Sequence, residues 1–374
     1  MKTKIVYIVS EIGRALAFEW VASELNRERF ELSFVLVNPV NDTLETFLRS
    51  KNIPVLIVSG TGKKSWPGMC WRVYKYLRQT KPDIVHCHLQ QASFIGLFAA
   101  KFAGVKVRIH TRHHSSFHHI YFPKGVWWDK LNNRMSTHVV AISGLVKRIL
   151  MEWEGVAANK ITLVPHGFLL TEFEQRDEAQ IASLKAKYNP ADKRPVIGVI
   201  SRFIELKGVQ YIIPAFKELL NKYPDALLLL FNAQGDYATD IDNLLQELPT
   251  GSYRKIHFEP DVASVYKLMD VFVHVPIGDH YEAFGQIYVE ALAAGVPSVF
   301  TLSGIAPDFI RDGENAIVVP YKNDKAIYKA INSIFEDDVL RSKIVSKGME
   351  SVKQKFALHE MIANLEKLYD KAVH

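Results

Sequence analysis

The chain has 374 residues, 48% hydrophobic and 23% charged, the balance of a globular protein of about two domains rather than a disordered one. Its two cysteines, Cys70 and Cys87, make neither a disulfide framework nor a four-ligand zinc site, and fit a reducing cytoplasm. The net charge of +6 is uneven: residues 1–170 hold 23 Lys and Arg against 11 Asp and Glu, residues 171–374 hold 23 against 29, and residues 51–150 hold 16 against Asp83 and Asp129 alone.

A one-sided basic field suits an anionic partner, although a solvated face has the same composition. No apolar run, Ala226–Phe231 included, is long enough to span a bilayer. Ile5–Val9 is too short for the core of a signal peptide.

In chain order, a strand is expected at Lys4–Val9, a helix over Glu11–Arg27 and a strand at Leu32–Val37. Apolar runs follow at Ile53–Val58, Ile84–Cys87, Val105–Ile109, Thr137–Ile142 and Ile161–Val164, several separated by helix-length stretches such as Gly68–Thr80 and Ala92–Ala103. A polar stretch, Glu172–Arg194, interrupts the pattern. It restarts with Val196–Ile200, Ala226–Phe231, Ile256–Phe258, Val271–Val275, Pro297–Thr301 and Ala316–Val319. Short buried strands alternating with helices predict parallel sheets. The fold class is therefore α/β, with two Rossmann-like, doubly wound domains facing a cleft. The first covers 1–170 and the second 171–355. Ligands are expected outside the carboxyl ends of the strands.

The stretch 271–295, VFVHVPIGDHYEAFGQIYVEALAAG, is the most informative. A buried strand ends near Pro276. A Gly-containing acidic loop follows, and a helix runs from about Gly285 to Gly295, with Pro297 as a stop signal. The helix start offers free N–H groups and a positive dipole to an anion. Glu282 and Glu290, eight positions apart, flank that cradle and suit sugar hydroxyls, which donate to carboxylates. An ordinary helix start with a surface glutamate has the same spacing. In Gly198–Gly208, GVISRFIELKG, Arg202 and Lys207 follow a strand end. Two cations there neutralise a departing diphosphate, Arg as a fork and Lys as a point charge.

These two blocks resemble the donor-site signature of the family-4 retaining glycosyltransferases, the glycosyl transferases group 1, which have the GT-B fold. That signature is Glu, then Gly- or Ala-Phe-Gly, a helix with a second Glu, then small residues and Pro. Here it reads Glu282, Ala283-Phe284-Gly285, Gln286, Glu290 and Ala294-Gly295-Val296-Pro297. The family's next element, Gly-Gly-Ile-Pro-Glu, stands as Ser303-Gly304-Ile305-Ala306-Pro307, a departure at its first Gly and at its Glu. Pro82–His88, Val139–Ser143, Leu163–Gly167 and Pro260–Pro276 resemble further family segments, so the likeness covers roughly residues 1–340, and it implies that the closing stretch 356–374 crosses back to the first domain.

In the first domain the loop after the first strand holds Gly13 and Arg14. It lacks GxGxxG, so a dinucleotide fingerprint is unsupported. Gly13 still allows a backbone approach to a phosphate or acceptor. Five of the 14 histidines fall within ten residues, His110, His113, His114, His118 and His119. A metal cluster is one reading, but few carboxylates stand near in sequence and the family binds its donor without a metal. The family's histidine after this strand matches His113 first and His110 second, and the others read as loop residues. Trp127-Trp128 and Tyr121-Phe122, among basic residues, suit a membrane interface or core packing.

The resemblance thus implies metal-independent transfer of a hexose, with retention, from a nucleotide-diphosphate sugar to a glycan or lipid-linked acceptor. No resident cofactor and no nucleic acid are expected. The location is cytoplasmic or peripheral at an anionic membrane surface. The rivals are a nucleotide-sugar epimerase or phosphorylase on the same fold, and a catalytically silent module that binds an anionic glycan or membrane.

Overall fold

The computed structural model describes residues 2–175 and 177–373. It forms two compact units, one running through Phe168 and resuming at Leu358, the other from Leu169 to Ala357. The junctions fall two residues before 170 and two after 355. His374, the end of the expected closing stretch, lies outside the described residues.

The first unit is a seven-stranded parallel sheet. Its strands are β1 (Thr3–Ser10), β2 (Phe30–Val37), β3 (Val55–Val58), β4 (Ile84–His88), β5 (Val107–Arg112), β6 (His138–Ala141) and β7 (Ile161–Leu163), in the order β3-β2-β1-β4-β5-β6-β7. Six consecutive residues of β1 are buried, as expected where helices cover both faces of a sheet. The two-residue period divides them. Ile5, Tyr7 and Val9 face one core, and Val6 and Ile8 face the other, under the helices Trp66–Thr80 and Gln90–Ala103. The closing helix Leu358–Val373 completes the first core with Leu358, Met361, Ile362, Leu365, Leu368 and Tyr369. Tyr369 hydroxyl bonds Tyr7 hydroxyl and His86 Nδ1, the latter at 2.7 Å.

The second unit repeats the plan with six parallel strands, β8 (Val196–Ile200), β9 (Leu227–Phe231), β10 (Tyr253–Ile256), β11 (Val271–His274), β12 (Ser298–Phe300) and β13 (Ile317–Val318). Their order is β10-β9-β8-β11-β12-β13. Each sheet is doubly wound, and the winding reverses once, between β1 and β4 and between β8 and β11. In such sheets the carboxyl ends at the reversal make the natural ligand crevice.

Three expectations are corrected. The strand read at Ile256–Phe258 lies at Tyr253–Ile256, an edge strand whose Arg254 and Lys255 are exposed, while Phe258 projects into solvent. The helix read over Glu11–Arg27 is shorter, Leu16–Glu24, because Glu11 is left-handed and its N–H bonds Val37 O across the sheet end. The polar stretch after 171 contains the helices Thr171–Glu174 and Glu178–Tyr188, the second of which buries Ile181, Leu184 and Tyr188. Among the described residues, no helix is long and apolar enough to cross a membrane.

Candidate active site

In the second unit, the chain leaving β8 makes a short turn, Glu205–Lys207, that closes on Gly208. Gly208 has φ +74°, and a Cβ there would sit 1.9 Å from Val275 O. Only glycine lets this loop seat on the end of β11. Ile277 N–H also donates to Leu206 O at 3.0 Å. That seating places the Lys207 ammonium on Glu282 Oε1. His274, the last residue of β11, donates from Nε2 to the same oxygen at 3.1 Å. The Glu282 backbone is pinned as well, since its N–H donates to Ser303 Oγ at 3.1 Å and that hydroxyl donates to Asp279 O at 3.1 Å.

The electrostatics follow from this enclosure. The Glu282 side chain is 12% exposed, Lys207 20% and His274 1%. Burial raises the Glu282 carboxyl, but the Lys207 charge and the His274 bond outweigh it and hold it at about 2. Burial lowers His274. The site at neutral pH is therefore a carboxylate between an ammonium and a neutral imidazole.

The helix Gln286–Ala293 starts beside this carboxylate from Gly285, at φ +85°. A Cβ at 285 would meet the Tyr288 ring at 2.7 Å. Gln286 is exposed and Ala283 half-buried. The Phe284 ring turns inward onto Phe356, 5.9 Å between centroids, so only its backbone is available at the helix start. The first-turn N–H groups of Gln286 and Ile287 have no intrahelical acceptor. Glu290 is half-buried and accepts from Tyr266 hydroxyl at 2.9 Å. Burial pushes its carboxyl up to about 7. Arg202 is exposed in the same loop as Lys207 and bonds no described side chain.

The first unit presents a different set at its own reversal. Gly13 lies in the loop after β1, where a Cβ would meet the Asn41 amide at 2.5 Å. Arg14 is exposed and pairs with Glu19 at 3.5 Å. His88 ends β4, and its Nδ1 shares a hydrogen bond with His113 Nε2 at 3.1 Å. His113 stacks on His166 with centroids 5.7 Å apart. His88 Nε2 is buried with no partner. Burial lowers all three, His166 to about 4. His110 is turned away from this group: its Nε2 bonds Asn133 Oδ1 at 2.9 Å inside the fold.

The remaining histidines are not free loop residues. His118 Nδ1 bonds Asp129 at 2.6 Å and His119 Nε2 bonds Glu154 at 3.1 Å, while Arg112 bridges the two carboxylates at 3.1 and 2.6 Å. The carboxylates missing from the local sequence thus arrive from the helix Pro123–Met135 and from Glu154. His114, His118 and Asp129 could converge on a cation, but Arg112 already holds the Asp129 oxygen nearest His118.

Of the residues the sequence pointed to, the fold brings Glu282, Lys207 and the helix start together, and it adds His274, Ser303, Tyr266, His88 and His166, which the sequence reading did not single out as site residues. His274 carried a signal, a lone polar residue closing an apolar strand. Ser303 stands at the departure from the family's first Gly. Tyr266 and His166 gave none, because their roles depend on tertiary contact.

Two doubly wound domains of this order, with an acid, a lysine and a helix start at the reversal of the second, define a GT-B enzyme. Sequence profiles agree: that described as Glycosyltransferase Family 4 matches residues 21–171, and Glycosyl transferases group 1 matches 180–351. The capsular polysaccharide biosynthesis glycosyltransferase CapM of Staphylococcus aureus is 28% identical over 353 residues, 87% of this chain and 91% of that one. The UDP-Gal:alpha-D-GlcNAc-diphosphoundecaprenol alpha-1,3-galactosyltransferase of Escherichia coli is 24% identical over 356 residues, 88% of each. Among solved structures, Anabaena Alr3699/HepE in complex with UDP superposes with a TM-score of 0.82 at 19% identity, covering 99% of this chain and 100% of that one. The same protein has been crystallised with UDP-glucose. The chain belongs to the group 1 glycosyltransferases and is a glycosyltransferase.

Proposed function

We propose that the protein carries a hexosyl group from a nucleoside-diphosphate sugar to a glycan or lipid-linked acceptor, with retention of configuration and without a metal ion. It works in the cytoplasm or resting on an anionic membrane surface. The observation that carries this reading is the Lys207–Glu282–His274 group beside the start of the helix Gln286–Ala293, at the reversal of the second sheet.

Lys207, Arg202 and the N–H groups from Ala283 to Gln286 hold the diphosphate. Lys207 has three donors, so it can bind phosphate while still orienting Glu282. Both bonds to Glu282 fall on Oε1, which leaves Oε2 to accept from sugar hydroxyls. Glu290 accepts from the ribose. His113 bonds the sugar or orders the acceptor, and Gly13 and Arg14 line the approach. As the bond from the anomeric carbon to the diphosphate breaks, the acceptor hydroxyl attacks that carbon on the same face. The departing phosphate oxygen takes the acceptor's proton. Arg202 and Lys207 neutralise the charge that develops, the task a cation performs elsewhere. The only Asp-x-Asp triplet, Asp240–Asp242, lies within the helix Ala238–Leu245, where Asp242 binds Lys255 at 2.6 Å.

The names of the relatives support a nucleotide-sugar donor and, for the Escherichia coli protein, a lipid-linked acceptor. The test is a thermal-shift panel of UDP, GDP and ADP sugars, followed by NMR of the product anomer. One donor should raise the melting temperature, since ligand at 100 times its Kd adds about 2.7 kcal/mol. Inversion at the anomeric carbon, or no response to any nucleotide sugar, would refute the reading.

A further inference from the structure

The helices after β3, β4 and β5 carry an unusual apolar surface. Trp71 is 56% exposed, Phe102 64% and Trp127 60%. Between the helices Trp66–Thr80 and Gln90–Ala103 runs a groove of about 650 Å³, lined mainly by aromatic rings and by one charged residue, Lys63. A second cavity of about 480 Å³ is also mainly apolar but carries the polar groups Glu11, Gln90, Gln91 and Lys124. The two share Lys63, Trp66, Phe94 and Trp128, so they adjoin across three mutually packed rings. Glu11 follows β1 and Gln90 follows β4, which puts this second chamber at the reversal of the first sheet. Lys63 stands at the boundary, its Nζ 5.8 Å from the centre of the Trp128 ring.

Charge sharpens the picture. The turn Lys63–Ser65 and the helices Trp66–Thr80, Gln90–Ala103, Phe117–Tyr121 and Pro123–Met135 contain nine Lys and Arg and one acid, Asp129. That acid is buried and bonded to Arg112 and His118, so its charge is spent inside. An aromatic groove adjoining a chamber that carries polar groups, with one lysine lining both, matches a molecule whose aliphatic chain ends directly in a phosphate.

We infer that this is the acceptor site for a lipid phosphate: the chain lies in the aromatic groove, Lys63 binds the phosphate, and the head group enters the chamber. The inference rests on the glycosyl-transfer reading and narrows its acceptor.

Tryptophan fluorescence offers a direct probe, because Trp66, Trp71 and Trp128 line the groove. The full chain is titrated with farnesyl phosphate below its micelle concentration, with farnesol and inorganic phosphate as the separate halves. A saturable response is expected, at least tenfold tighter for farnesyl phosphate than for farnesol, and none for inorganic phosphate. Lys63→Glu should weaken farnesyl phosphate at least tenfold and leave farnesol unchanged. Phe102→Glu, at an exposed ring, should weaken both while thermal unfolding stays as in the wild type. Equal affinity for farnesol and farnesyl phosphate, or indifference to both substitutions, would overturn the assignment. Flotation on phosphatidylglycerol vesicles without saturable farnesyl phosphate binding would overturn it too, leaving a membrane-resting face. Stabilisation by a nucleotide sugar on the same preparation separates the two readings: a protein that binds the donor but not farnesyl phosphate sinks only this inference, and the reverse sinks only the donor assignment.

Discussion

At the reversal of the second sheet an ammonium and a neutral imidazole converge on one carboxylate oxygen, whereas at that of the first sheet His88, His113 and His166 meet as three imidazoles. The same strand order thus frames two kinds of chemistry. The second domain keeps its cation paired, so the lysine is held in place for the diphosphate proposed above. The first keeps its nitrogens uncharged, through burial and mutual repulsion, so they can donate to or accept from hydroxyls. A doubly wound sheet supplies the position, and the residues closing its central strands supply the function.

Acid should break the comparison most forcefully. His86 is lowered to about 3 and His110 and His166 to about 4, from an ordinary 6.5. Below pH 6.5 the unfolded chain binds more protons than the folded one, so stability falls as pH drops. Each group contributes roughly 1.4 kcal/mol per pH unit, so these three bound the loss at pH 5.5 at about 4 kcal/mol. All six tryptophans lie before residue 154, so urea unfolding followed by tryptophan fluorescence reads the first domain selectively. An unchanged urea midpoint between pH 7 and 5.5 would show that the imidazoles are not held neutral.

The charged cluster is tested next. Lys207→Ala and Arg202→Ala should each lower kcat by about 100-fold, about 3 kcal/mol of transition-state stabilisation, with thermal unfolding preserved. Normal turnover by both would remove the diphosphate assignment. A smaller effect concerns Glu290, raised to about 7. The ribose needs the ionised carboxylate as acceptor, so donor affinity should rise by at most about tenfold from pH 6 to pH 8 as that group deprotonates. Glu290→Gln should flatten the profile, and a wild-type profile with no such rise would contradict the role. The smallest expected change is none: activity should survive EDTA, and loss with rescue by manganese would show that the two cations do not suffice.

The strands were legible because runs such as Leu227–Phe231 are buried on both faces and read as unbroken apolar stretches. The Glu282 loop and the start of the helix Gln286–Ala293 were legible because they are contiguous in sequence, whereas Lys207, 75 residues away, was legible only from its own strand end. Tyr253–Ile256 was misplaced because an edge strand has one buried residue rather than a run. The histidine stack and the Arg112–Asp129–Glu154 network were invisible because strand order, not spacing, assembles them. The aromatic groove could be suspected from Trp127 and Trp128, but its walls depend on how Trp66 and Phe94 pack against Trp128.

One feature of the chain path bears on how such enzymes can be rebuilt. Leu358 N–H donates to Phe168 O at 2.9 Å and Gly167 N–H to Met361 Sδ at 3.1 Å, so the point where the chain leaves the first domain lies beside the point where it returns. Residues 169–357 are, topologically, a cassette spliced into a host whose last helix seals the host's own core. Insertions with adjoining ends are the kind that hosts tolerate. A donor domain from a relative with a different sugar is therefore best exchanged between these two junctions, with the closing helix left to the host. A chimera that also swaps the last helix would replace six apolar side chains of the first core and cut Tyr369 from Tyr7 and His86.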